Sequence, residues 1–149
     1  MFKFKSISAF FLAGFLASAS AFAVEETPMT FPAPGKFADV NTAKAQFDRG
    51  AVFVDARVTN EYVEKRIKGA INVVYRETHS RVSKIDPADR FDLAKLPADK
   101  NQTLVFYCNG SPCWRGYKAA DAAVKAGYKN VFWFRDGLPA WVAKGYPTE

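Results

Sequence analysis

Short apolar, β-prone runs alternating with helical stretches predict an α/β domain, a central parallel sheet with helices on both faces. Ala51-Val-Phe-Val-Asp55 and Thr103-Leu-Val-Phe-Tyr107 are almost continuously apolar, as strands covered on both sides require. Each gives way to polar turn residues and then to a helical pattern.

Residues 1–23 are set apart from that domain. Lys3 and Lys5 form a basic start, Ile7 to Leu16 is mainly apolar, and Ala21-Phe-Ala23 fits small-x-small cleavage. This is the pattern of a secretory signal peptide, too short in its apolar part to span a bilayer. No cysteine stands at the cleavage point to carry a lipid, so an exported, periplasmic or secreted chain beginning near Val24 is expected, with no membrane association after cleavage. Pro28, Pro32 and Pro34 mark residues 24–36 as an extended lead-in, and residues 37–149 as one domain.

Within the domain, Thr42 to Arg49 reads as a helix capped by Asn41 and stopped by Gly50. The Ala51–Asp55 strand follows. Thr59 caps a helical turn over Asn60 to Lys65, and Gly69 to Val74 reads as a strand. Tyr75 to Asp89 is charged and aperiodic, an irregular connection in which His79 is solvated. A short helix near Arg90 to Leu96 is ended by Pro97. After the Thr103–Tyr107 strand, Ser111 reads as an N-cap and Pro112 as the first residue of a helix running to Ala126. Val131 to Phe134 is the last strand, and Gly137 starts a final helix to about Lys144.

Cys108 ends a strand and faces the start of the next helix, the edge at which open α/β sheets bind ligands. A helix N-terminus offers partial positive charge and unpaired N–H groups, which lower a thiol pKa and make it a nucleophile without a histidine base. Cysteine is also a common core residue, but a strand tip followed by Gly110 favours chemistry over packing. Arg115, seven residues on, supplies a permanent cation for an oxyanion.

The chain carries 21 Lys and Arg against 15 Asp and Glu, a formal +6. Loss of Lys3 and Lys5 with the leader leaves 19 basic residues, scattered without a run. That excludes a nucleic-acid binder and suits small anionic substrates. Lys65, Arg66, Lys68, Arg76 and Arg81 form a solvated face or a positive rim that attracts anions. Two cysteines and one distant histidine make no metal set, and Trp114, Trp133 and Trp141 read as core or pocket wall rather than a cofactor box. Neither metal nor organic cofactor is implied.

Four stretches, taken together, resemble the single-domain rhodaneses (thiosulfate sulfurtransferases). Phe53-Val-Asp55-Ala-Arg57 resembles that family's strand ending in Asp-x-Arg. Glu61-Tyr62 and Arg66-Ile67-Lys68-Gly69-Ala70-Ile71-Asn72 resemble its H-I-x-G-A-x-N segment, with Arg66 in place of the histidine. Cys108 stands where the catalytic cysteine stands. Ala119-Ala120, Gly127-Tyr128, Val131 and Asp136-Gly137-Leu-Pro-Ala140-Trp141 follow the closing pattern. The resemblance spans about residues 37–147 and implies a rhodanese-like sheet of about five strands.

It also implies an activity. The Cys108 thiolate would take a sulfane sulfur from thiosulfate or a similar small anionic donor. The persulfide would then pass it to cyanide, a small thiol or a partner protein's thiol. Main-chain N–H groups from Asn109 onward, through Gly110, Ser111, Cys113 and Trp114, would hold the oxyanion, with Arg115 assisting. Asp55 and Arg57 would support the architecture, Asp55 hydrogen-bonded near the sheet edge.

Three departures bear on that activity. Arg115 lies seven residues after the cysteine, where the family usually has five, and Pro112 removes one donor from the cradle. A larger ring admits a bulkier anion, as in the phosphatases of this fold, so a phosphatase or arsenate reductase is the first alternative. Cys113 has no counterpart in the usual motif: it is either a core residue of the first helical turn or a resolving thiol that closes a disulfide with Cys108. The second alternative is a non-catalytic thiol-redox or sulfur-binding accessory whose normal state is that disulfide.

Overall fold

In the computed structural model, residues 23–149 are described. The expected leader therefore lies, except for Ala23, outside the described residues.

The sheet grows outward from the Thr103 run. Thr103–Tyr107 (β4) is buried from Leu104 onward and lies between two parallel neighbours, Val52–Asp55 (β2) and Asn130–Phe134 (β5). Ile71–Asn72 (β3) adds to β2, and Lys36–Ala38 (β1) adds to β5, giving the order β1-β5-β4-β2-β3 with every pairing parallel. Side chains of a strand alternate between faces. Leu104 and Phe106 accordingly join Val54, Val131 and Trp133 on one side, and Val105 and Tyr107 join Phe53 and Phe134 on the other. Arg115–Lys125 (α3) closes the first side with Ala119, Ala120 and Ala123. Val40–Asp48 (α1) and Gly137–Ala143 (α4) close the second, where Trp141 is fully buried. Helices thus cover both faces, as expected.

Several boundaries differ from expectation. Helix α1 starts earlier because Asp39, not Asn41, caps it, its carboxylate accepting the Thr42 amide at 2.7 Å. The second helix, α2, is Thr59–Glu64, so Thr59 is its first residue rather than its cap. The Gly69–Val74 strand shrinks to Ile71–Asn72 because Ala70 turns back to bond the Ile67 carbonyl. The expected Arg90–Leu96 helix is a single 3-10 turn, Leu93–Lys95. Lys36, expected to end the lead-in, instead begins strand β1, paired with Phe132.

Candidate active site

β4 delivers Cys108 to the C-terminal edge of the sheet, and the chain there is held from two sides. Gly116 lets α3 run close to the strand tip: a Cβ on it would sit 3.1 Å from the Tyr107 carbonyl carbon. Gly137, at φ +56°, lies against the Cys108 carbonyl and the Gly110 amide with no room for a side chain. The Leu138 amide donates to the Cys108 carbonyl at 3.0 Å. Tyr107, just before the cysteine, is buried; its hydroxyl accepts the Ile67 amide at 3.2 Å, and burial pushes its pKa up.

The loop after Cys108 corrects the expected helix start. Ser111, Pro112 and Cys113 are not the cap and first turn of α3, which begins only at Arg115, after Trp114, with no side-chain cap. They form a tight turn, entered through Gly110 at φ +84° and closed by the Cys113 amide on the Gly110 carbonyl at 2.7 Å. The turn folds Cys113 back onto Cys108, and the two form a disulfide with their Cα atoms 6.2 Å apart. Cys113 is therefore neither a core residue nor helical. Ser111 satisfies no helix amide; its hydroxyl donates to the Glu26 carboxylate.

A cleft of about 280 Å3 opens over this loop. Asn109, Gly110, Cys113 and Arg115 line it, and the chain brings Glu61, Glu77 and Arg81 to the same space. Cys108 is only 2% exposed and lies behind Cys113. Ser111 and Trp114, expected beside the substrate, are not on its walls. A larger cleft of about 410 Å3 lies at the β3 edge among Arg76, Arg90 and Lys95, but no cysteine reaches it, so the smaller one is the candidate site.

The charged groups around the cleft form a chain of contacts. Buried Asp55 takes Nε and Nη2 of Arg57 at 2.6–3.1 Å, a bidentate pair, and Arg57 also donates to the Lys65 carbonyl at 2.6 Å. Burial works against the Arg57 charge, but the hydrogen bonds and charge of Asp55 prevail and raise its pKa. Arg57 reaches Asn109 Oδ1 at 3.4 Å, and Asn109 Nδ2 donates to Glu61 at 2.5 Å. Arg115 contacts Glu61 at 3.5 Å and Glu77 at 3.4 Å, the outer limit of hydrogen bonding. Glu77 in turn meets Lys118, whose ammonium is 3.0 Å away.

Sequence reasoning missed Glu77 and Lys118. The available signal was Lys118's place on the small-residue face of α3, beside Gly116, Ala119, Ala120 and Ala123. It missed the lead-in as well. Residues 25–27 strap the far side of the loop: the Glu25 carbonyl accepts the Trp114 indole N–H at 2.8 Å, and the Thr27 carbonyl accepts Arg135 at 3.1 Å. Hydrogen bonds from Ser83 anchor the Glu25 carboxylate and keep its pKa below the usual range. Buried Trp114 thus holds the strap rather than walling the pocket.

Residues 39–144 match the sequence model of the rhodanese-like domain. The chain belongs to the rhodanese-like family. Among relatives, the chain is 27% identical over 125 residues to the Arabidopsis thaliana mitochondrial protein HIGH ARSENIC CONTENT 1, covering 84% of this chain and 72% of that one. It is 28% identical over 79 residues to thiosulfate sulfurtransferase PspE of Escherichia coli, a match spanning 53% of this chain and 64% of that protein. Solved rhodanese folds superpose accordingly. A thiosulfate sulfurtransferase from Pseudomonas aeruginosa gives a TM-score of 0.56 at 24% identity, over 76% of this chain and 20% of that one. A rhodanese-like domain from Anabaena gives 0.56 at 24% identity, over 75% and 76% of the two chains. At these identities the superpositions establish the rhodanese fold, a five-strand parallel sheet with helices, and the site must be argued from its own residues.

Proposed function

We propose that the protein is a rhodanese-type sulfurtransferase in which the reduced Cys108 thiolate takes a sulfane sulfur from a small anionic donor such as thiosulfate. The carrying observation is the position of Cys108: it follows the central strand and precedes α3, bonded to Cys113, which lines a cleft shared with Arg81 and Arg115. Once the disulfide is opened, the α3 N-terminus favours the thiolate over the thiol. The thiolate attacks the outer sulfur of thiosulfate, forming a Cys108 persulfide and expelling sulfite. Among the described residues, Arg115 makes two long contacts to carboxylates. A guanidinium has five N–H donors, so it keeps some for the sulfonate oxygens. The Asn109 and Gly110 amides on the cleft side of the loop are the other proposed donors, the Cys113 amide being held by the Gly110 carbonyl, and a small thiol, cyanide or a protein thiol accepts the sulfur.

The place of action proposed for this chemistry is outside the reducing cytoplasm, based on the leader-like residues 1–23 and on a disulfide of the kind that persists in oxidising compartments. The test is thiosulfate-to-cyanide transfer by dithiol-reduced protein, wild type beside Cys108→Ser. Turnover that disappears in the variant supports the reading. Absence of turnover with thiosulfate, together with Cys108-dependent reduction of arsenate or hydrolysis of an aryl phosphate, would replace it with the enlarged-loop alternative.

The Cys108–Cys113 disulfide favours the redox-accessory reading over that enlarged-loop alternative. Thiol counting on protein taken directly from its compartment separates the two: a lasting disulfide without turnover is the accessory's signature.

A further inference from the structure

The disulfide fixes which sulfur Cys113 reaches. Its Sγ is bonded to the Sγ of Cys108, the inner sulfur of any persulfide formed there, and the tight Gly110–Cys113 turn holds it in that place. A second asymmetry lies in access: Cys113 lines the cleft, whereas Cys108 is 2% exposed behind it.

We propose that Cys113 discharges the Cys108 persulfide as hydrosulfide, making the protein a dithiol-dependent, sulfide-releasing enzyme rather than a simple carrier of sulfur to an acceptor. The inference rests on the persulfide chemistry proposed above. The Cys113 thiolate attacks Cys108 Sγ; the Sγ–Sγ bond forms, and the bond to the outer sulfur breaks. The outer sulfur leaves with the electron pair as hydrosulfide, taking up the proton given by the Cys113 thiol. Two electrons pass from the cysteine pair to the sulfane sulfur, leaving the disulfide seen in the structure.

An external dithiol closes the cycle. One of its thiolates attacks Cys113, the sulfur facing the cleft, forming a mixed disulfide and releasing Cys108 as the thiolate near the α3 N-terminus. The dithiol's second thiol then attacks its own sulfur in that mixed disulfide and frees Cys113. The sum is thiosulfate plus dithiol giving sulfite, hydrosulfide and the oxidised dithiol.

The experiment is a single turnover. Protein reduced with dithiothreitol and then freed of it is mixed with thiosulfate, with no acceptor present. Wild type is expected to release about one equivalent each of sulfite and sulfide and to lose both thiols. Cys113→Ser is expected to release the sulfite but keep the sulfur, seen as an added mass of about 32 Da with no sulfide. Sulfite without sulfide from wild type, with the added mass retained, overturns the inference and leaves the transfer reading standing. Sulfide from Cys113→Ser in wild-type yield also overturns it. No sulfite from wild type overturns both readings together. If the variant alone releases no sulfite, the wild-type sulfide yield and thiol count decide.

Discussion

The Lys118 ammonium, with none of its side chain exposed, lies 3.0 Å from Oε2 of Glu77, a carboxylate that is itself 7% exposed. A charged pair this dry is costly to break from one side, because the remaining charge loses its partner without regaining water. Glu77 also contacts Arg115, so the pair connects the buried face of α3 to the wall of the cleft.

Glu77→Gln should therefore destabilise the fold by about 3–5 kcal/mol in urea unfolding. Lys118→Met combined with Glu77→Gln should recover most of that loss, since no lone charge is then left inside. A double variant as weak as the single one would show that the pair is not coupled.

Gly137→Ala should be among the most damaging substitutions near the site. Its Cβ would overlap the Cys108 carbonyl at a backbone angle that L side chains avoid. A loss of about 2 kcal/mol or more is expected, together with loss of the proposed sulfur transfer. Gly127→Ala is the control: at φ +91°, with open space around it, it should cost only the backbone strain, about 1 kcal/mol. Thermal unfolding of the two variants side by side makes the comparison.

Acid should weaken the 75–90 loop through Asp89. Burial pushes its carboxyl up, but the Thr78 and Asp86 amides and the Tyr75 hydroxyl outweigh burial, so its folded pKa lies below the ordinary value. A depressed carboxylate adds stability that is fully present above its unfolded pKa, near about 4, and is lost as pH falls through the folded value. Asp89→Asn should thus be less stable than wild type at neutral pH, and the gap should narrow below about pH 4. A gap that stays constant from neutral to acid would refute the assignment.

The strap should govern how fast the disulfide opens. Deleting residues 24–27 removes the acceptors used by Ser111, Trp114 and Arg135, and should speed reduction by dithiothreitol, followed as thiol release. Trp114→Phe, which loses one hydrogen bond worth about 1 kcal/mol, should lie between that deletion and wild type. Equal rates in all three would mean that the strap does not restrain the loop.

What the sequence made legible was local. The Val52 and Thr103 runs declare themselves as buried parallel strands because both faces need apolar residues, and Cys108 at a strand end follows directly. Ser111-Pro112 misled because the pair has the chemistry of a helix start, while the loop needed those residues to turn Cys113 back to its partner. The strap left no local sign: Glu25 meets Trp114 across 89 positions, and Thr27 meets Arg135 across 108. Lys118 lies on the small-residue face of α3, but its partner Glu77 lies 41 positions away and left no local sign. Asp55 was legible as a hydrogen-bonded residue of the sheet edge, though its bidentate Arg57 geometry was not.

The strand order also sets a hierarchy of lifetimes within the domain. β4 is hydrogen-bonded on both edges and sealed on both faces, so its amides should exchange with solvent only when the whole domain opens. The turn from Gly110 to Cys113 is held by one main-chain bond, a disulfide and the strap, and reduction removes the covalent tie. Deuterium uptake should therefore change steeply at Cys108, slow on the strand side and redox-sensitive on the loop side. In the proposed cycle, the sulfur of Cys108 is opened and closed on a strand that stays protected while the loop beside it changes.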